Sequence, residues 1–181
     1  EPEDPVSDEY GFVGWYNGDE EWDFDNDTVT EDIILKARWI YNIYFSYVIK
    51  NNEVKISWYL GFEQEVIIPK SIKGYQVTTL GESSFSQKEL KTVYFPKTLT
   101  TIEDFAFCSC VNLESVYIPS NVSQIGLYAF ADCTNLTSIV VSPQNGVYDS
   151  RDNCNAIIET ANNALISGCK NTVIPSTITS I

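Results

Sequence analysis

Twenty-five carboxylates, five thiols, eleven tyrosines and no histidine set the chemistry open to this 181-residue chain. Without imidazole there is no Ser-His-Asp or Cys-His nucleophile, no histidine-bearing zinc site and no ordinary near-neutral proton shuttle. No spacing among the carboxylates singles out an acid and a base of the kind a glycosidase uses. Asp23, Asp25 and Asp27 alternate as in a calcium loop. Thr28 stands where that loop needs glycine, however, and Ile34 where it needs a bidentate glutamate, so the segment reads as a solvated acidic turn. Cys108, Cys110, Cys133, Cys154 and Cys169 are odd in number, so at least one is unpaired within the chain. Cys108-x-Cys110 matches neither a redox nor a zinc spacing, and a metal site would need four thiolates from separate segments, which leaves buried free thiols as the reading. The expectation is a protein without metal or cofactor and without enzymatic activity.

Charge narrows the partners. A net charge of −14 repels phosphate backbones and anionic membranes, so neither nucleic acid nor a lipid surface is expected. No apolar run approaches the ~18 residues of a membrane span, and the opening Glu1-Pro2-Glu3-Asp4-Pro5 has no signal-peptide character. With no methionine anywhere, the chain reads as an excerpt or a processed product.

The elements that must position these side chains follow from the pattern. Residues 1–39 hold thirteen acidic and two basic residues, while residues 40–181 are nearly balanced, which marks a boundary near Trp39. In the first segment Tyr10–Tyr16 and Ile33–Trp39 are strand-like, with Asn17-Gly18-Asp19 as a turn. Ile43–Ile49 and Val54–Tyr59, joined by Lys50-Asn51-Asn52-Glu53, form a hairpin.

Beyond it a 23-residue offset lays Val93-Tyr94-Phe95-Pro96 on Val116-Tyr117-Ile118-Pro119 and persists through Ile102/Ile125, Ala106-Phe107/Ala129-Phe130, Cys110/Cys133 and Leu113/Leu136. Such a period marks a solenoid. An earlier copy, Ile67-Ile68-Pro69 to Leu90, carries an insertion around Lys73-Gly74-Tyr75, and a truncated copy runs from Val173-Ile174-Pro175 to Ile181. Within each coil L-x-x-V-x-I/F-P gives a short strand ended by proline, and the spacing that follows suits a turn of α- or 3₁₀-helix. Residues 143–172 break the period with a hairpin, Asn153–Ile158 and Ala164–Ser167, flanked by Cys154 and Cys169, whose pairing stays open. The equivalent Cys110 and Cys133 stand close enough for a bridge, about 4.8 Å between coils, with free ladder thiols preferred. Ile181 falls partway through a coil, which predicts an unpaired sheet edge and an uncovered core there.

Two resemblances sit on these motifs. G-F-x-G-W-Y and W-D-F-D-N-D-T-V-T-E-D-I-I-L-K-A-R-W, over residues 5–39, resemble the second half of the Listeria-Bacteroides repeat, the internalin B-repeat type of module, a small β-grasp-like unit of bacterial surface proteins. I-P-x-x-V-x-x-I-x-x-x-A-F-x-x-C-x-x-L, matched over residues 66–139, resembles the BspA-like leucine-rich repeats, a family that typically begins with a capping hairpin. The expected architecture is mainly β with short helical turns: a partial B-repeat-type module over 1–39, a β-hairpin cap over 40–64, and a solenoid over 65–181.

On the strand face of such a solenoid the outward set is Lys91, Thr92, Tyr94, Glu114, Ser115, Tyr117, Thr137, Ser138 and Val140, with Tyr94 and Tyr117 expected to stack. Tyrosine supplies rigid contact area with a hydrogen-bonding tip, which suits a protein or glycan. The same residue type also favours strands for its own sake. The resemblance implies a cell-surface or secreted bacterial protein that adheres to a host matrix protein, a cell or a glycan through its repeats. The alternative is a structural spacer or stalk with no ligand of its own.

Overall fold

The computed structural model describes residues 1–181 and contains sixteen strands with almost no helix. β1 (Tyr10–Asn17) turns through Gly18 into β2 (Glu20–Glu21), and the acidic segment returns as β3 (Lys36–Tyr41), which begins three residues later than the pattern predicts and runs past Trp39. A 3₁₀ turn at Asn42–Tyr44 leads into β4 (Phe45–Lys50) and β5 (Glu53–Tyr59), joined by Asn51 and Asn52, both at positive φ. The coils then supply β6 (Glu65–Ile67), β7 (Ser71–Ile72), β8 (Tyr75–Leu80), β9 (Thr92–Tyr94), β10 (Thr101–Ile102), β11 (Ser115–Ile118), β12 (Gln124–Ile125) and β13 (Ser138–Val141). A final meander is β14 (Tyr148–Asp149), β15 (Ala156–Glu159) and β16 (Ala164–Gly168).

The coils have three sides. On one, β6, β9, β11 and β13 form a parallel four-stranded sheet, directing Val66, Val93, Val116 and Ile139 inward. On the second, β8, β10 and β12 pair in parallel and stack Leu80, Ile102 and Ile125. The third side is the stretch expected to be helical. It is a chain of tight turns in which N–H groups alternate between a carbonyl three residues back and the following coil. Ser83, Phe85 and Gln87 donate to Asp104, Ala106 and Cys108, and Phe105, Phe107 and Ser109 donate to Leu127, Ala129 and Ala131, all at 2.8–3.0 Å. Two residues per coil, Ser83/Phe105/Tyr128 and Gln87/Ser109/Asp132, take φ between 56° and 61° to allow this. The left-handed conformation at non-glycine residues costs about 1–2 kcal/mol each, and each coil offsets it by satisfying three otherwise orphaned donors.

Inside this side the rings of Tyr59, Phe85, Phe107 and Phe130 stack with centroids 5.2, 5.0 and 5.4 Å apart. Tyr59 belongs to β5, so the hairpin provides the first rung. It also pairs in parallel with β8 and thereby covers the first coil. One core runs unbroken from Phe45 to Ile157. At its far end the 143–172 insertion folds over the last full coil, burying Tyr148 and Ile157, and the Tyr148 hydroxyl accepts from Ile125 N at 3.1 Å. The insertion thus covers the last full coil, while the truncated copy that ends at Ile181 leaves Val173, Ile174 and Ile181 exposed, as expected. An apolar cleft of about 970 Å³ remains between residues 125–134 and β16.

The N-terminal segment joins the solenoid through the lengthened first coil. β1 pairs antiparallel with β7, Gly11 opposite Ile72 and Phe12 opposite Ser71, so the acidic module and the second side of the solenoid share one sheet. A Cβ on Gly11 would lie 2.8 Å from Pro69 Cβ and 3.0 Å from Asn42 Oδ1, so the close approach requires glycine. Lys70 bridges Glu1 and Asp4 at 2.6 and 2.9 Å, and Lys97 bridges Asp23 at 2.7 Å.

Phe107→Ala deletes one of the two inner rings of a packed four-ring stack and is expected to lower stability by about 3–5 kcal/mol in urea unfolding. Gly11→Val forces β1 away from Pro69. Limited proteolysis should then cut within residues 1–40 far faster, while the Phe-ladder coils stay protected.

Candidate functional site

The outward face of the four-stranded sheet is built by the alternation that sends Val66, Val93, Val116 and Ile139 inward. Cross-strand register places Ile67 beside Tyr94 and Tyr117 beside Val140, and places Glu65, Thr92, Ser115 and Ser138 side by side. The result is an apolar and aromatic row, Ile67–Tyr94–Tyr117–Val140, next to a row of three hydroxyls and one carboxylate. Tyr94 and Tyr117 are 54% and 51% exposed, which leaves much of each ring open to a partner. Lys91 and Glu114 are also exposed; Ser115 is open, and Thr92, Thr137 and Ser138 are half-buried. A main-chain ladder beneath them runs from Glu114 N to Lys91 O and from Thr137 N to Glu114 O, each 3.0 Å.

The expected stacking of Tyr94 on Tyr117 is not found. β9 and β11 pair in register at Thr92–Ser115 alone, and no ladder pairing carries on to Tyr94 and Tyr117. The outer rings that do stack are on the turn side, Phe105 on Tyr128 at 5.4 Å and 21°. Both are exposed and both are at positive φ. Sequence reasoning passed over this pair, whose signal is an aromatic residue two positions before each of the ladder residues Phe107 and Phe130. Ile67, though recognised within an earlier copy, and Glu65 were left out of the outward set, because the insertion in the first coil stretches their offset from Tyr94 and Thr92 to 27 residues.

The sheet face offers contact area, hydroxyls, two carboxylates (Glu65 and Glu114) and one cation (Lys91). It places no nucleophile beside a base and no facing pair of carboxylates, and its tyrosines and hydroxyls are groups that can contact and hydrogen-bond a partner. No three thiol or carboxylate groups converge where a metal ion could sit. The acidic turn is organised internally: Asp23 accepts from Asp25 N, Asn26 Nδ2 and Lys97 Nζ, and the lysine contact holds its carboxyl down at about 2. All five cysteines are free. Cys110 donates to Phe85 O at 3.0 Å and Cys133 to Phe107 O at 3.2 Å, one rung apart. Burial pushes these thiols up to about 11 and about 12, with Cys110 adding to the effect on Cys133.

This coil geometry has a counterpart among known sequences. Residues 61–181 match the BspA type leucine rich repeat region, in six copies. The chain belongs to the BspA-type leucine-rich-repeat family. Residues 1–38 match the Listeria-Bacteroides repeat domain. Among solved structures this BspA-type chain is similar to a leucine rich cell surface protein of Faecalibacterium prausnitzii (16% identity over 67% of this chain and 58% of that one, TM-score 0.37). It is also similar to a leucine-rich repeat protein of Bacteroides capillosus (20% identity, 55% and 94%, TM-score 0.43). A putative membrane protein of Evansella cellulosilytica is 45% identical over 47 residues, 24% of this chain. The BspA-type chain thus spans only 7% of that relative's length.

The thiol ladder gives a pH signature. With folded values above the ordinary thiol value near 9, the protonated ladder contributes stability that is intact below pH 9 and lost as pH rises toward 11 and 12. The urea midpoint should fall over that range, and it should fall less steeply in the Cys110→Ala/Cys133→Ala variant. At pH 8 iodoacetamide should spare Cys110 and Cys133 in the native chain and label all five cysteines after denaturation.

Proposed function

We propose that this chain is a non-enzymatic interaction module of a bacterial surface or secreted protein, and that it adheres to a protein or glycan of a host or neighbouring cell. The observation that carries the reading is the exposed row Ile67–Tyr94–Tyr117–Val140 alongside the hydroxyls of Thr92, Ser115 and Ser138. Tyrosine contributes a large contact surface at low rotamer cost, and hydroxyls at strand spacing supply directed hydrogen bonds. Lys91 and Glu114, at the edge of the face, select orientation more than affinity. The family membership supports a repeat scaffold of the protein-interaction kind, and the match of residues 1–38 to a repeat of bacterial surface proteins supports the location.

A spacer role is the second reading, and it has its own support. The shared sheet through β1 and β7, with the Lys70 and Lys97 bridges, couples two modules without a loose linker. On that reading the face has no partner and the chain holds other domains apart.

Binding of the purified chain to a panel of matrix proteins and glycans separates the two. The adhesive reading expects a signal that the Tyr94→Ser/Tyr117→Ser variant loses by at least tenfold with its thermal midpoint nearly unchanged, since both rings are exposed. A panel with no signal, or one the double variant retains, overturns it in favour of the spacer.

A further inference from the structure

Exposed strand edges invite association, and proteins blunt them with short strands, charges or covering segments. Most edges here are blunted. At β12, Ile125 N is taken by the Tyr148 hydroxyl; at β13, Val141 N donates to Ser150 Oγ at 3.0 Å and Leu136 O receives Lys170 N at 2.9 Å. β3 carries Lys36 and Arg38 along its edge, and β2, β6 and β14 are only two or three residues long.

β16 is met on its outer side by Ser180, whose carbonyl accepts from Leu165 N at 2.9 Å. β4 is the exception. It is six residues, Phe-Ser-Tyr-Val-Ile-Lys, with no proline and no charge before Lys50, and it pairs with β5 alone. The bulge in that pairing puts the extra residue, Ser57, on β5, so β4 itself stays straight. The two-residue Asn51-Asn52 turn makes Lys50–Glu53 and Val48–Lys55 the hydrogen-bonded pairs. By the same alternation the N–H and C=O groups of Tyr47 and Ile49 point away from β5, and no bond outside the ladder uses them. Val48 is 55% and Ile49 39% exposed.

We propose that β4 is a self-association edge, at which two copies of this chain pair antiparallel about a twofold axis through Val48. In that register Tyr47 of one copy exchanges both main-chain bonds with Ile49 of the other, giving four bonds by symmetry. Val48 meets Val48 in a non-hydrogen-bonded pair, and Ser46 faces Lys50. No like charges oppose each other in the seam, which is what makes the strand complementary to itself. The pairing continues the nine-stranded sheet of each copy across the axis. The −14 charge of each chain opposes the approach of two copies at long range, so association strengthens with added salt.

Sedimentation velocity from micromolar to near-millimolar protein, at low and high salt, tests this. The expected result is a shift from the 20.4 kDa monomer to twice that mass, larger at high salt. Ile49→Pro should abolish it while leaving the monomer's thermal midpoint unchanged, because proline there removes a solvent-facing N–H only. Non-hydrogen-bonded antiparallel pairs bring Cα atoms to about 4.5 Å, within disulfide range. Val48→Cys should therefore cross-link on mild oxidation where the native sequence does not, and the added Ile49→Pro should prevent it. A monomer at every concentration and salt, a dimer that survives Ile49→Pro, or a Val48→Cys chain that fails to cross-link overturns the proposal. The first of those results is what a β4 edge reserved for the strand of another protein would give.

Discussion

The turn-side ladder is the constraint on which the rest of the molecule depends. A coil of 22 or 23 residues has too few side chains to bury its own backbone, and its turn side is neither helix nor strand. Three N–H groups per coil are left pointing along the stack, and only the next coil can receive them. That requirement fixes the rise between coils and the repeat length, and with them the spacing of the rings. Tyr59, Phe85, Phe107 and Phe130 stack nearly parallel because the backbone bonds on either side of them allow no other offset. The thiols follow the same rule, each bonding the carbonyl of the phenylalanine one coil earlier. Small side chains are imposed where coils approach most closely: a Cβ on Gly126 would stand 2.4 Å from Asp104 N.

The full coils of a stack held in this way leave two ends, and each is met by a different device. At the start β5 supplies both a parallel strand and a ring, so the hairpin continues two of the three ladders. At the other end Tyr148 stands 23 residues after Ile125, in the ladder position of an isoleucine. Its hydroxyl reaches the free N–H of β12, and the strands that follow it lay Ile157 against the core. The departure from the repeat after Pro143 is thus a covering element made from the repeat's own register.

How much of this was legible in the sequence depended on how local the cause was. Val93/Val116, Ile102/Ile125 and Phe107/Phe130 recur at a fixed offset because each occupies the same inward position, so a shift of the sequence against itself exposes them. The hairpin around Asn51-Asn52 was equally plain, since its turn chemistry lies within four residues. The turn side was not. Phe105, Tyr128, Gln87 and Asp132 adopt positive φ without being glycine or asparagine, and a spacing of three to five between apolar residues is shared by helices and by successive tight turns. The β1–β7 pairing joins residues sixty apart and depends on Gly11 meeting Pro69, which no local pattern encodes. The missing Tyr94–Tyr117 stack goes with a β9–β11 pairing that is in register at Thr92–Ser115 alone. On the sheet face the identities of the outward residues were legible and their mutual distances were not.

The charge distribution and the face belong to one argument. Thirteen of the 25 acidic residues lie in the first 39, and the solenoid holds them with two cations, Lys70 and Lys97, leaving that end strongly negative. The sheet face carries far less charge, with Glu65, Lys91 and Glu114 on it. A partner approaching in solution feels the acidic end first, at a range set by the Debye length, about 8 Å at physiological salt. Rows of hydroxyls and tyrosines act only on contact. On the adhesive reading proposed above, the two regions would divide recognition between them: the acidic module would bias which surfaces come near and in what orientation, and the coils would set how long they stay. That division requires the module to keep a fixed position relative to the sheet, and the shared β1–β7 pairing at Gly11 provides it.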